Sequence, residues 1–167
     1  IKQSCPVLTG WLPREANKVI EAVAEEKGSF FKSLADEKAF DSLPETNLQG
    51  NHQKRNAALA LNVCESLKKQ FPIDNDLSLC ALKKVKLEGR WQIIQEDPMI
   101  VLDSCHNAEG AESLEPQIKN LPTGADLVIW FGSLGKERAE EILKVLIPLG
   151  KEIHLFQPNQ PRACSFE

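Results

Sequence analysis

MIVLDSCHNAEGAESLEPQIKNL, residues 99–121, is the stretch on which the fold turns. Met99–Leu102 is an apolar run with no polar member, and it reads as a strand. It runs into Asp103-Ser104-Cys105-His106-Asn107, after which Ala111, Leu114 and Ile118 recur at helical spacing over 108–121. The alternation then continues. Residues 127–131 form a strand without a polar member, and 136–149 a helix on Ala139, Ile142, Leu143 and Leu146. Residues 152–156 form a further strand. Apolar strands alternating with amphipathic helices predict the α/β class, with a parallel sheet covered by helices on both faces.

Upstream the pattern is less regular. Residues 5–9 make a short apolar stretch closed by Gly10, readable as a buried strand. Pro13 opens a helix, where its missing N–H costs nothing, and Ala16, Val19, Ile20, Val23 and Ala24 form its apolar face up to Gly28. Residues 29–50 collect Asp41, Ser42, Pro44 and Gly50 and read as short strands or loop. A second helix spans about 53–70 on Ala57, Ala60, Leu61, Cys64 and Leu67, and Pro72 stops it. A short helix follows over 75–84. Gly89 breaks the pattern before a strand over 91–95, which puts a boundary near 86–90 and two domains at 1–86 and 87–167. A strand close to the start and an uncovered last strand suggest a piece of a longer protein.

Composition narrows the function. The 167 residues carry 20 Lys and Arg against 24 Asp and Glu, a net charge of −4 with a pI near 5.5. A general nucleic-acid or membrane-surface binder carries a basic footprint instead. With 42% hydrophobic and 26% charged residues the mix is that of a globular protein, and no apolar run approaches the roughly 18 residues of a membrane span. Five cysteines without a C-x-x-C pair fit neither a disulfide framework nor a structural zinc site, and point to a reducing, cytoplasmic compartment.

The residues between 103 and 107 sit where a strand ends and a helix begins, the position at which open parallel sheets collect ligands and helix amides attract anions. An acid, an imidazole and an amide there can bind a ribose hydroxyl, position a phosphate or move a proton. Alternatively, Asp103 and Asn107 merely cap the helix and leave His106 exposed. Cys105 beside His106 reads as a small buried residue at the strand end, because catalytic pairs meet through the fold and not as sequence neighbours. Gln53 and Asn56 are three apart on one helix face and can grip one polar ring edge. The competing reading is a solvated first turn capped by Asn51. Arg90 precedes a strand, where a guanidinium reaches a phosphate or carboxylate. The loop Gly132-Ser133-Leu134-Gly135-Lys136 lacks the G-x-x-x-x-G-K-[ST] spacing and is not a nucleoside-triphosphate cradle. His154 reads as packed within its strand.

In combination these pieces resemble one family over almost the whole chain. Residues 48–60, LQGNHQKRNAALA, resemble the L-x-G-x-H-Q-x-x-N-A segment of folylpolyglutamate synthases and dihydrofolate synthases. Gly89-Arg90 before a strand resembles their G-R-[WFL] element, residues 103–107 their D-x-A-H-N motif, and Pro161-Arg162-Ala163 a late P-R-A element. Ile1-Lys2 through Pro6-Val7-Leu8-Thr9-Gly10 is similar to the segment after their E-K-A-G-I motif. The order and spacing agree.

The resemblance implies a Mur-ligase-like architecture: residues 1–86 as the later part of a central ATP-binding domain, and 87–167 as most of a Rossmann-like C-terminal domain. It implies an ATP-dependent ligase that activates a folate carboxylate as an acyl phosphate with ATP and magnesium, after which the amino group of L-glutamate attacks. Domain closure would expel the water that hydrolyses an acyl phosphate. By motif, Asn56 and Arg90 contact ATP and Asp103 holds the ribose or adenosine end. Gln53 neighbours the adenine, and His106 positions groups or handles a proton near the reacting phosphate or glutamate. The expected partners are the small-molecule substrates (folate or dihydropteroate, L-glutamate and ATP), with no nucleic acid or membrane, and the protein is expected to be a monomer. Two departures stand out. Cys105 replaces the usual alanine, and Gly135-Lys136-Glu137 stands at a D-K-D-like element. The phosphate loop and magnesium ligands are expected upstream of Ile1, so no metal ligand is assigned here, and this segment alone is expected to be inactive. Rival readings are another Mur-type amino-acid ligase and a non-catalytic nucleotide-binding or interaction module.

Overall fold

The structure is a computed structural model that describes residues 1–36, 43–122 and 126–166. Of the stretch 29–50 read as short strands or loop, Asp41 and Ser42 lie outside the described residues. The chain separates into two compact units, Ile1–Lys86 and Leu87–Glu167. Among the described residues no helix is long and apolar enough to cross a membrane.

In the first unit, strand β1 (Val7–Thr9) pairs in parallel with β2 (Phe31–Ser33), Val7 opposite Phe31 and Thr9 opposite Ser33. The strand expected over 5–9 is thus shorter: Cys5 and Pro6 precede it, and Pro6 has no N–H to give a ladder. Helix α1 (Arg14–Glu26) joins the two strands, starting after Pro13, with Ala24 buried on its inner face. Val19, expected on that face, is 64% exposed, because it lies to one side of the Ala16–Ile20–Ala24 stripe. Asn17 of α1 ties the strand ends together. Thr9 Oγ1 donates to Asn17 Oδ1 at 3.0 Å, and Asn17 Nδ2 donates to Ser33 Oγ at 3.0 Å.

A 3-10 turn (Leu34–Asp36) follows β2. Helix α2 (Asn51–Leu67) lays Gln53 and Ala57 inward, with Leu61, Cys64 and Leu67 half-buried. Ala60, expected inward, is exposed. Helix α3 (Asn75–Leu82) is capped by Asp74, whose side chain accepts from the Leu77 amide at 2.8 Å.

In the second unit, β3 (Gln92–Glu96) and β4 (Met99–Leu102) form an antiparallel hairpin, followed by α4 (Ala108–Lys119), β5 (Val128–Phe131), α5 (Lys136–Leu146) and β6 (Glu152–Leu155). Strands β5 and β6 are parallel, with Phe131 opposite Leu155. The core is built from Ala111 of α4, Phe131 of β5, and Ala139, Ile142 and Leu146 of α5, joined by Cys164 from beyond β6. Ile142 is wholly buried. Small residues at 111 and 139 let α4 and α5 lie against one another and against the same strands.

The α/β class with a parallel pair is as the sequence predicts. Two features differ. The ladder partner of β4 is β3, antiparallel, among the described residues. The outward residues of β5 and β6 are open where a second helix layer was expected: Trp130 is 73% exposed and Val128 and His154 are also at the surface. His154, read as packed, instead lies on this open face, its ring centroid 5.3 Å from that of Trp130 and its Nε2 3.4 Å from Glu152 Oε2.

Candidate functional site

The carboxyl end of β4 carries the densest polar geometry of the second unit. Asp103 is its pivot. Its Oδ2 accepts from the Trp91 amide at 2.7 Å and its Oδ1 from the Cys105 amide at 2.8 Å. Each carboxylate oxygen keeps a second lone pair for another donor. Ser104 donates twice to the Gly89 carbonyl oxygen, from its amide at 2.8 Å and its Oγ at 2.9 Å. The Gly89 amide in turn donates to Gln92 Oε1 at 2.9 Å.

These bonds hold an unusual backbone. Gly89 has φ +67°, and a Cβ there would sit 3.4 Å from both Cβ and Oγ of Ser104. Trp91 has φ +46°, a left-handed conformation that costs a non-glycine residue about 1–2 kcal/mol. This is why the strand expected from Trp91 begins at Gln92. Half-buried Arg90 lies between the two left-handed residues.

The cap reading of this motif holds for one residue only. Asn107 is the N-cap of α4 and accepts from the Gly110 amide at 2.8 Å, whereas Asp103 is spent on the Trp91 and Cys105 amides. His106 is exposed, with Nδ1 3.3 Å from the Ser104 carbonyl oxygen. A proton on Nδ1 makes that bond and leaves the Nε2 lone pair directed elsewhere.

Cys105 packs against the core, and its thiol is pushed up to about 11, first by burial and then by the Asp103 charge, with Arg90 acting in the opposite sense. It is therefore a thiol at neutral pH and no nucleophile, in keeping with the buried-residue reading. Alkylation followed by mass spectrometry at pH 8 is expected to label exposed Cys5 and Cys80 well before Cys105. Because the folded thiol titrates above its ordinary value of 9.0, its contribution to stability is complete below about pH 9 and lost as pH rises through about 11.

In the first unit, Gln53 and Asn56 do meet: Asn56 Nδ2 donates to Gln53 Oε1 at 3.3 Å. Gln53 is only 5% exposed, so this turn is not a merely solvated one. Nor does Asn51 cap it. Asn51 is already helical, and Gly50, at φ +98°, is the cap residue without a side-chain bond. Sequence reading missed Trp11, whose ring carries the Arg55 guanidinium 5.8 Å from its centroid. Nothing but an aromatic residue after Gly10 signals that contact. Lys54 is paired with Glu45 at 2.7 Å.

The glycine-bearing loop after β5 is occupied by protein. The Gly135 amide donates to the Arg162 carbonyl oxygen at 3.2 Å, Leu134 bridges Ala163, and the Cys164 amide donates to the Ser133 carbonyl oxygen at 2.9 Å. A phosphate cradle needs such amides free. Arg162 and Ala163 of the late P-R-A-like element thus supply the strip that closes this loop.

The chain thus has a parallel strand pair in each unit, and an acid, an imidazole and an amide at the strand end of the second. No family model matches the chain. It is 29% identical, over an alignment 186 residues long that takes in 98% of this chain, to a dihydrofolate synthase/folylpolyglutamate synthase of Bacillus subtilis (strain 168), of which it covers 43%. The crystal structure of folylpolyglutamate synthase from Thermotoga maritima superposes with a TM-score of 0.71 at 28% identity, over 99% of this chain and 44% of that one. A folylpolyglutamate synthase in complex with AMPPCP and folate shares the fold at a TM-score of 0.81, 23% identity, 96% of this chain and 44% of that one. The resemblance seen in the motifs therefore extends along the chain, which is similar over nearly its whole length to folylpolyglutamate and dihydrofolate synthases. It spans less than half the length of the Bacillus relative.

Proposed function

We propose that the full-length protein is an ATP-dependent ligase that joins L-glutamate to a folate, either dihydropteroate or a tetrahydrofolate. The observation that supports this most is the strand end at Asp103–Asn107 with the Arg90 turn fastened onto it, a cation, an acid and an imidazole gathered within one unit. In this reading a folate carboxylate oxygen attacks the terminal phosphorus of ATP and ADP leaves. The glutamate nitrogen then attacks the acyl carbon, phosphate departs, and the nitrogen gives up a proton.

Residues 1–86 would be the later part of the central ATP-binding domain and 87–167 most of the C-terminal domain. Arg90 would contact the ATP phosphates and Asp103 the ribose, through the lone pairs its backbone bonds leave open. Asn56, bonded to Gln53, would contact ATP, with Gln53 as the neighbour of the adenine. His106 would handle a proton near the reacting groups through Nε2. Magnesium belongs to the proposal for the whole protein. Among the described residues no three His, Cys, Asp or Glu side chains converge to hold a cation, so these residues receive no metal role. Free thiols at all five cysteines fit a reducing, cytoplasmic setting.

The test is ATP-dependent incorporation of labelled glutamate by the full-length protein, with dihydropteroate and tetrahydrofolate as acceptors. Incorporation onto either acceptor is the expected result. ATP binding without incorporation would favour a ligase for another acceptor or a non-catalytic module, and would overturn the folate reading.

A further inference from the structure

Within the Gly89–Trp91 turn it is Trp91 that holds a backbone conformation its own side chain disfavours. A buried glycine and a tryptophan both adopt left-handed φ, and bonds from residues 103 and 104 on the neighbouring strand end hold them there, together with the Gly89 amide's bond to Gln92. Ser104 gives two of these, both to the Gly89 carbonyl oxygen, so one acceptor takes an amide and a hydroxyl together. The amide bond is available to any residue but proline. The hydroxyl bond requires serine or threonine.

Arg90 sits between Gly89, fixed by Ser104, and Trp91, fixed by Asp103, and its charge reaches the Cys105 thiol in the same cluster. Its backbone is thus anchored on both sides. A long arginine side chain otherwise has several free torsions, and anchoring the backbone limits where the guanidinium can be presented.

We propose that Ser104 is a positioning residue for Arg90: its hydroxyl fixes the Gly89 peptide so that the guanidinium is presented for the phosphates of ATP. This rests on the functional reading above. Ser104 does not touch the nucleotide, and its effect passes through Arg90.

The experiment is a double-substitution cycle in the full-length protein, reading the Kd for ATP by calorimetry and the KM and kcat for ligation. Ser104→Ala is expected to weaken ATP about five- to tenfold, the scale of one hydrogen bond, with kcat within about twofold. Ser104→Thr is expected to restore affinity. In the Arg90→Ala background Ser104→Ala is expected to change ATP affinity by less than about twofold. Equal weakening by Ser104→Ala with and without Arg90 would overturn the inference, as would an unchanged Kd in Ser104→Ala. Wild-type protein that binds no ATP would overturn the functional reading and this inference with it. ATP binding without the coupling would overturn this inference alone.

Discussion

His106→Ala is expected to lower ATP-dependent glutamate transfer by about 10²–10⁴-fold, the usual range for loss of a positioned acid–base group, while ATP affinity stays within about twofold. The side chain is exposed, and the one bond described for it is to the Ser104 carbonyl oxygen, so its removal strands no buried group. Folding stability should therefore move by no more than about 0.5 kcal/mol. Single-turnover measurement separates the loss into phosphoryl transfer and amine attack. Transfer that survives the substitution intact would remove His106 from the chemistry and leave the remaining site residues standing.

Asp103→Ala is expected to damage both fold and binding. Two backbone amides, of Trp91 and Cys105, lose their acceptor, and hydrogen bonds to a charged group contribute about 1.5–3 kcal/mol each. Both are only partly buried, so water recovers some of this, and a net loss of about 2–3 kcal/mol for the second unit is the expected result in denaturant titration. Trp91 would then relax from φ +46° and carry Arg90 with it, lowering ATP affinity by at least about tenfold. The thiol of Cys105 would move down from about 11, since the Asp103 charge is one of the causes that raise it. Asp103→Asn keeps one carbonyl oxygen for one of the two amides and should fall between. A variant that retains wild-type stability and affinity would show that the Asp103 bonds are dispensable.

Much of the second unit was legible because its signals are local. Strand β4 has the bounds that its apolar run predicts, and α4 buries Ala111 and Leu114 as their spacing requires. Trp91 was not legible. An aromatic residue beside Gln92 and Ile93 has every strand preference, and its left-handed backbone depends on a carboxylate twelve residues away. The same holds for Gln53, whose burial comes from what packs on α2 and not from its own polarity. The all-apolar run 127–131 was read as covered on both faces, but composition does not say whether the second cover lies within this chain. Of the site, the residue types and their order came from sequence. That Asp103 works on the backbone of Trp91, and Ser104 on that of Gly89, came only from the geometry.

The strip that follows β6 sets a practical boundary. Cys164 is a member of the buried core, and the residues just before it pair with the loop after β5. The segment after the last strand is largely exposed, yet it delivers Cys164 into the unit's interior. Any shortened version prepared for ligand titration has to run past Cys164, because a cut made at the apparent end of the last strand would open the protein from the inside.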